Sequence, residues 1–470
     1  MSEGEDRITN LPDSIIHEIF SFLDIKWIIR TSALSKRWKR ISASIPFLEL
    51  GRFSLRGMSP EKFMDTVDKV LHFHDMSNIK ILEIYWSGIN WPEGKVNASR
   101  VNLWLSTAIM RNIEDLTLNI ELSEPFRIPL SLVTCESLII LELSLSQIMY
   151  LPSCMSLPRL KDLKLCQAKF SDGYNKDSLF SGCPVLEHLR MDSCDWSDVK
   201  SFCITTPALK QLEIIGSDDY DNWDLKSNGL LDCSLRIHAP NLVSLTYWDD
   251  LPKEYDLSSF PALVDADICF DQFVGDATTG DKIGVGAAAS KFLRALSYAK
   301  CLTLSHRTIK SLSYAEDLQN NLPTFHHLKD LTVELKADTD EVLVVLLQSA
   351  PNLESLVFDR PPRRDDVVEG GDNQNNEDDS LELDMMGSGC SFLRPKRVFF
   401  KVFVGTPSQM RWAKLIVKEE NASQTMTVGY TNSYDCIIWK SENQCLLELP
   451  IGLSTRSASL FNISSSDCLH

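Results

Sequence analysis

Few residues in this 470-residue chain have the types and spacing to do covalent chemistry. The thirteen cysteines fall singly and none forms a Cys-x-x-Cys pair, so neither a zinc knuckle nor a dithiol redox motif is written here. His72 and His74 lie two apart in a stretch whose apolar residues (Phe63, Val67, Val70, Leu71) recur with helical spacing. A helix turns such a pair away from each other, so they read as surface or core histidines, not metal ligands. Gly280, Gly284 and Gly286 are not followed by the Lys-Ser or Lys-Thr of a phosphate loop, and no clear strand feeds them; Asp265–Gly286 reads as a loop-rich insertion. No Gly-x-Ser-x-Gly and no His-Glu-x-x-His occurs. No catalytic residue, metal or cofactor is expected, and the chemistry left to the chain is recognition.

Two sets of side chains are suited to recognition. Aromatic and acidic residues cluster at Tyr220–Trp223 and at Tyr247, Trp248, Asp249 and Asp250. Aromatics often anchor interfaces, which makes Tyr220, Trp223, Tyr247 and Trp248 candidate target-binding residues. Charged and polar residues at Glu114, Asp115, Lys161, Lys164, Glu187, His188, Arg190, Lys210, Gln211, Glu213, Lys329 and Asp330 fall on the solvent-facing positions of predicted strands. They either read a partner or only keep that face wet.

The first element that must hold such residues is Asp6–Leu50. Apolar residues at Leu11, Ile15, Ile16, Ile19, Phe20 and Leu23 mark one helical face. Pro12 suits a first turn, and Asp13 places an anion at the positive end of the dipole. A second set follows at Ile25, Trp27, Ile28 and Ile29. A third begins near Thr31 and carries Leu34, Trp38 and Ile41 among Lys36, Arg37, Lys39 and Arg40; Pro46 closes it. Three short helices enclose too little interior for all these bulky residues. Leu11, Ile15, Phe20 and Trp38 are therefore offered to a separate protein or packed on the next domain; periodicity leaves both open.

A connector, 51–78, has one helix near Pro60–His74. Over 79–360 a pattern L-x-x-L-x-L, with Ile, Met, Val or aromatic replacements, recurs. Its copies begin at Ile79, Ile113, Leu138, Leu160, Leu186, Leu209, Leu242, Leu328 and Leu353, with a weak copy at Leu263 and a partial one at Leu302–Leu304. Most steps are about 21 to 26 residues, the period of leucine-rich repeats; longer steps near Asn90, Tyr220 and Gly280 imply inserted loops. Proline stands two residues before the first leucine at Pro158, Pro184, Pro207, Pro240, Pro261 and Pro351, where it punctuates the entry to a strand. A lone unit cannot bury its leucines, but stacked units can. The Asn or Cys of a strict repeat is matched clearly only by Cys194, so an irregular solenoid is expected, with a parallel sheet on its concave side.

Residues 361–389 are acidic and rich in Asn and Gly, and read as a disordered linker. Over 390–430 globular character returns, with a strand through Val398–Val404, a turn at Gly405–Thr406–Pro407 and a helix through Gln409–Lys418. The Ser-rich tail, 431–470, matches nothing familiar.

Net charge is −18 and the pI about 5.0, which opposes unaided binding to nucleic acid or an anionic membrane. Met1–Asp6 is polar, no apolar run approaches a membrane span, and the scattered cysteines suit reduced thiols in cytoplasm or nucleus. The Asn-x-Ser sequons at Asn97, Asn421 and Asn462 should be silent there.

LPDSIIHEIFSFL followed by LSKRW resembles an F-box over nearly its whole length, with Ala33 where Val is more usual. The resemblance implies docking on a Skp-type adaptor, and through it on cullin and RING subunits of a ubiquitin ligase. It assigns Leu11, Pro12, Ile15, Ile19, Leu23, Leu34 and Trp38 as adaptor-facing or motif-core residues. LFSGCPVLEHL at Leu179–Leu189, echoed by APNLVSL and APNLESL, resembles the repeats of plant F-box proteins. Leu393, Val398, Phe403, Gly405, Thr406, Ala413, Asn421 and Ala422 fall in the pattern of the FBD module that follows such repeats; after Ala422 the match fails. The resemblance thus implies an α/β chain: a three-helix F-box (6–50), an irregular leucine-rich-repeat solenoid and a small α+β FBD-like module. The implied role is a non-catalytic substrate receptor holding an unknown target protein. The rival roles are an adaptor-binding scaffold without ubiquitylation, a small-molecule sensor, which the acidic balance disfavours, and an unrecognised enzyme.

Overall fold

The computed structural model describes residues 11–51, 58–74, 79–86, 94–152, 154–170, 179–216, 230–252, 254–270, 278–336, 339–359, 395–401, 403, 407–418, 425–429 and 436–440. Side chains are not described at 407, 410, 414, 417–418, 425–429 and 436–440. The chain divides into two compact units, Met1–Leu242 with Pro252–Ser258, and Val243–Leu251 with Ser259–His470.

The first unit opens with helices α1 (Asp13–Ser21), α2 (Ile25–Thr31) and α3 (Lys36–Ala43). Pro12 precedes α1 with extended backbone, and its carbonyl accepts the amides of Ile15 and Ile16. Asp24 caps α2 by accepting the Lys26 amide at 2.9 Å, and the Ser35 hydroxyl caps α3 by accepting the Trp38 amide at 3.2 Å. The third helix therefore starts at Lys36, not near Thr31. The extended Ser35 satisfies one amide that a helix start leaves orphaned, and so sets the boundary. Pro46 lies beyond the end of α3.

The strands, in chain order, are β1 (Phe47–Leu50), β2 (Ile81–Trp86), β3 (Asp115–Ile120), β4 (Phe126–Arg127), β5 (Ile140–Tyr150), β6 (Asp162–Lys169), β7 (His188–Asp192), β8 (Ser201–Thr205), β9 (Gln211–Ile215) and β10 (Ser234–His238). Then follow β11 (Ser244–Asp249), β12 (Glu254–Leu257), β13 (Asp265–Phe270), β14 (Cys301–Leu304), β15 (Asp330–Glu334), β16 (Ser355–Asp359), β17 (Arg397–Phe400), β18 (Thr425–Gly429) and β19 (Cys436–Lys440). The later helices used below are α4 (Pro60–Phe73), α5 (Ala98–Met110), α6 (Leu130–Val133), α7 (Thr279–Ala295), α8 (His306–Leu312), α9 (Leu318–Asn321), α10 (Asp340–Gln348) and α11 (Pro407–Lys418).

In the first unit β1, β2, β3, β5, β6, β7 and β9 pair in parallel. The apolar triplets fix the register. Leu48, Leu82, Leu116, Leu141, Leu163, Leu189 and Leu212 form one lateral row, and Leu50, Ile84, Leu118, Leu143, Leu165, Met191 and Ile214 the next. Every one of these is buried; burying such a side chain is worth roughly 1.5–3 kcal/mol before entropy. The first rung, β1, comes from the end of the stretch read as F-box, so the helices run directly into the sheet. The buried Cys194 takes its expected repeat position, its thiol directed at the carbonyls of Leu165 and Asp192 at 3.8 and 3.7 Å. A separate three-stranded parallel sheet, β8–β10–β12, lies in the same unit.

The prolines have a more local reason than strand punctuation. Each sits second in a four-residue turn closed by the amide of the first repeat leucine: Leu160 to Leu157, Leu186 to Cys183, Leu209 to Thr206, Leu242 to Ala239, Leu263 to Phe260 and Leu353 to Ala350. That is the turn position whose φ proline pre-sets.

In the second unit β11, β13, β14, β15, β16 and β17 carry the same two rows: Leu245, Ala266, Leu302, Leu331, Leu356 and Val398, then Tyr247, Ile268, Leu304, Val333, Phe358 and Phe400. Asp265–Gly286 corrects the loop-rich reading, because it contains strand β13 and the start of helix α7. Thr278 and Asp281 close a reciprocal capping box at that start. Gly286 lies where a Cβ would come within 2.3 Å of the Ala315 amide nitrogen, so the glycine admits the turn that follows α8. The FBD-like stretch does not form its own sheet: β17 extends the ladder beside β16, followed by β18 in parallel and β19 antiparallel. Its helix begins at Pro407 and is held by one carboxylate. Asp340 of α10 accepts bonds from the Ser408 hydroxyl (2.8 Å), Trp412 Nε1 (2.9 Å) and Arg411 Nη2 (2.7 Å). The stretch read as linker (361–389), the tail from 441, and Leu393, Gly405, Thr406, Asn421 and Ala422 lie outside the described residues.

Candidate functional site: the apolar helical surface and the strand faces

The three N-terminal helices use one set of apolar residues inside and another outside. Ile16, Phe20, Ile25, Ile28, Trp38, Ile41 and Ile45 are buried, and the rings of Phe20 and Trp38 lie 5.7 Å apart. This corrects two assignments. Trp38, 8% exposed, and Phe20 are the motif's core and not its partner surface. Arg37 ties α3 to α1, its Nη2 donating to Asp13 Oδ1 at 2.6 Å and to the Leu11 carbonyl. That hydrogen bond and the guanidinium charge hold the Asp13 carboxyl below its ordinary range.

Outside stand Ile15, Ile19 and Leu23, in keeping with the F-box resemblance, with Leu34 at 68% exposure, Pro12 exposed and Leu11 half-buried. Phe22, at 83% exposure, Trp27 and Ile29 join them and were not foreseen. Ile15 and Ile19 fall at i and i+4 on one face of α1, and Phe22 and Leu23 follow directly after its last turn. Periodicity groups Ile15, Ile19 and Leu23 with Ile16 and Phe20 and does not separate the outward set from the core. Of the seventeen large exposed hydrophobics among the described residues, seven fall between Ile15 and Leu34. An apolar surface so concentrated marks an interaction site.

On the sheet, residues alternating with the buried rows form a solvent-facing ladder. In the first unit its central row reads Glu83, Thr117, Glu142, Lys164, Arg190, Glu213. Toward β9 the charges cancel. Lys164 donates to Glu142 at 2.5 Å, and Arg190 to Glu213 at 2.7 Å and Asp192 at 2.9 Å. Lys161 and Lys210 flank Glu187 at 3.8 and 2.6 Å, and the Lys210 hydrogen bond lowers the Glu187 pKa. Gln211 donates to Glu213 at 2.6 Å. In the second unit Lys329 pairs with Glu354 at 2.5 Å, with the same effect on Glu354.

The four aromatic candidates do not come together as a described site. Tyr220 and Trp223 lie outside the described residues. Tyr247 is corrected: it is wholly buried, packs on Phe292 with 5.0 Å between ring centres, and donates its hydroxyl to the Asp250 carbonyl at 2.5 Å. Trp248 alone is exposed, on the sheet face beside Asp267. Burial raises the Asp267 pKa, and a hydrogen bond from Trp248 partly offsets it.

Burial pushes the Cys183 and Cys301 thiols up to about 11, leaving them unreactive as thiolates. Among the described residues no group of three or more His, Cys, Asp or Glu side chains could hold a metal ion, and no helix is long and apolar enough to cross a membrane.

Comparison with known proteins matches the same order of segments. A family profile described as F-box domain matches residues 8–50, and one described as At1g61320/AtMIF1, LRR domain, matches 70–449. The Arabidopsis thaliana F-box/LRR-repeat protein At4g14096 is 30% identical over 367 residues, covering 76% of this chain and 74% of that protein. The FBD-associated F-box protein At5g22730 of the same plant is 28% identical over 462 residues, covering 96% of this chain and 93% of its own length. Helices with bulky residues turned outward, leading into a leucine ladder, are thus matched by sequence at both ends, and the chain belongs to the F-box/LRR-repeat family.

Proposed function

We propose that this chain is a non-catalytic substrate-recognition subunit of an SCF-type ubiquitin ligase. Its α1–α2 surface docks on a Skp-type adaptor, which links it to cullin and RING subunits, and its strand faces hold a target protein. Holding target lysines beside a charged ubiquitin carrier raises their effective concentration, so this chain supplies position and other subunits supply chemistry. One observation carries the reading: seven large hydrophobics are exposed between Ile15 and Leu34. The nine described cysteines are free thiols, which supports a reducing compartment, nucleus or cytoplasm.

The test is co-precipitation of a Skp-type adaptor and cullin by the full chain and by Phe22→Ala/Leu34→Ala. The double variant should lose adaptor capture at least ten-fold while keeping its thermal midpoint. Undiminished capture overturns the docking surface. Adaptor capture without cullin by the unaltered chain overturns the ligase role in favour of a scaffold.

A further inference from the structure

Charge pairing on the first unit's sheet face is not uniform. Toward β9 every basic residue of the central row has an acidic partner, as described above. Toward β2 the face holds Glu83, Asp115, Glu142 and Asp162, with Thr117 between Glu83 and Glu142 in the central row. Two cationic or cationisable groups face this end, Lys164 and His188, and both are committed: Lys164 to Glu142 at 2.5 Å and His188 to Asp162 at 3.1 Å. Tyr85 donates to Glu83 at 2.9 Å without bringing charge. Lys80 lies one row away, 3.6 Å from Glu114.

Two polar groups at the centre of this patch lack partners. Asp115 Oδ1 is buried without a hydrogen-bond donor. The Thr117 residue is 8% exposed, and its hydroxyl has no partner among the described residues. It alternates with the buried Leu116 and Leu118, so it points to the same face as Asp115. A buried acceptor left unmade is costly, and a ligand that supplies a donor removes that cost. Within each row the carboxylates stand two strands apart, about 10 Å, Glu83 with Glu142 and Asp115 with Asp162. That spacing is too open for a metal shell and suits long, flexible cationic side chains.

We propose that the β2–β6 end of this face, centred on Asp115 and Thr117 and rimmed by Glu83, Glu142 and Asp162, binds a lysine- or arginine-bearing segment of the target protein. The proposal rests on the receptor reading above and names the chemistry of its target. It has a pH signature. Burial first, then the carboxylates of Glu83, Asp162 and Glu142, raise the Asp115 pKa to about 6. A protonated Asp115 attracts a cation less, so affinity should rise as pH increases through that region.

The experiment uses the full chain with its adaptor and a fluorescein-labelled Gly-Ser peptide carrying four lysines, beside its acetyl-lysine counterpart, read by anisotropy. The lysine peptide should bind at least ten-fold more tightly than the acetylated one. Glu83→Gln/Asp115→Asn should weaken it at least ten-fold and flatten its pH dependence. Glu61→Gln/Glu124→Gln, which removes the same charge elsewhere, should change it less than two-fold. Equal loss in both variants, or equal binding of both peptides, overturns the site as mere attraction by net charge. Adaptor capture in the same samples separates the two readings. Capture without peptide binding overturns this inference alone, and peptide binding without capture overturns the receptor reading alone.

Discussion

The three N-terminal helices and the strand ladder spend the same residue types in opposite ways. In the ladder, Leu82, Leu116, Leu141, Leu163, Leu189 and Leu212 are all buried, because each rung finds its neighbour within the chain. Around the helices, Phe22, Trp27 and Leu34 stay exposed, with the Arg30 guanidinium over the Trp27 ring. The difference is one of supply. A repeat brings its own covering surface every twenty-odd residues, whereas a three-helix knob has a core of one layer and a remainder turned outward. Burial in this family therefore distinguishes residues that make the fold from residues available to another molecule, although both are leucines and aromatics.

Substitution can break or sharpen that contrast. Leu141→Ala, in the middle of the ladder, should cost roughly 2–5 kcal/mol in a urea melt, the range for a buried leucine that cannot collapse. A loss below about 1 kcal/mol would dissolve the distinction. Asp340→Ala should cost about 2–3 kcal/mol, since it leaves the buried Trp412 Nε1 without its acceptor and strips Arg411 of its ion pair. Hydrogen exchange should report faster opening of α11 than of α5. Ser35→Ala should cost about 1 kcal/mol by removing the α3 cap, read as a lower thermal midpoint. Phe22→Ala should change stability by no more than about 0.5 kcal/mol, as expected of an exposed side chain away from any packed feature. A large loss there would mean that Phe22 belongs to the chain's own core.

Much of this was legible because it is local. The 3.6-residue spacing marked the first two helices, and the triplets marked nearly every rung, including the weak copy at Leu263. Tyr247 shows how a rule already in hand can be overlooked. It is the third apolar residue of the Leu242–Leu245–Tyr247 triplet, and that position faces the core whatever its chemistry. Trp38 and Phe20 needed tertiary knowledge, because a helix in isolation does not say which of its apolar residues meets the next helix. β1 was missed because Leu48 and Leu50, an alternating pair, were grouped with the helical stretch 6–50. α7 was missed because its three glycines read as loop, whereas Gly286 serves close approach to Tyr314 and Ala315, a demand made by residues about thirty positions away. The pairing of charges on the sheet face was also illegible, since it links side chains more than twenty residues apart.

The lateral pairing of β16 with β17 alters what the intervening acidic stretch can be. Asp359 and Lys396 border strands that lie side by side, with Phe358 opposite Phe400. The strands on either side of the stretch, β16 and β17, are thus neighbours in the ladder. A single proteolytic cut within 361–389 would therefore leave two fragments that migrate together until denaturant separates them. The C-terminal strand and helix would then behave as a non-covalent subunit of their own protein.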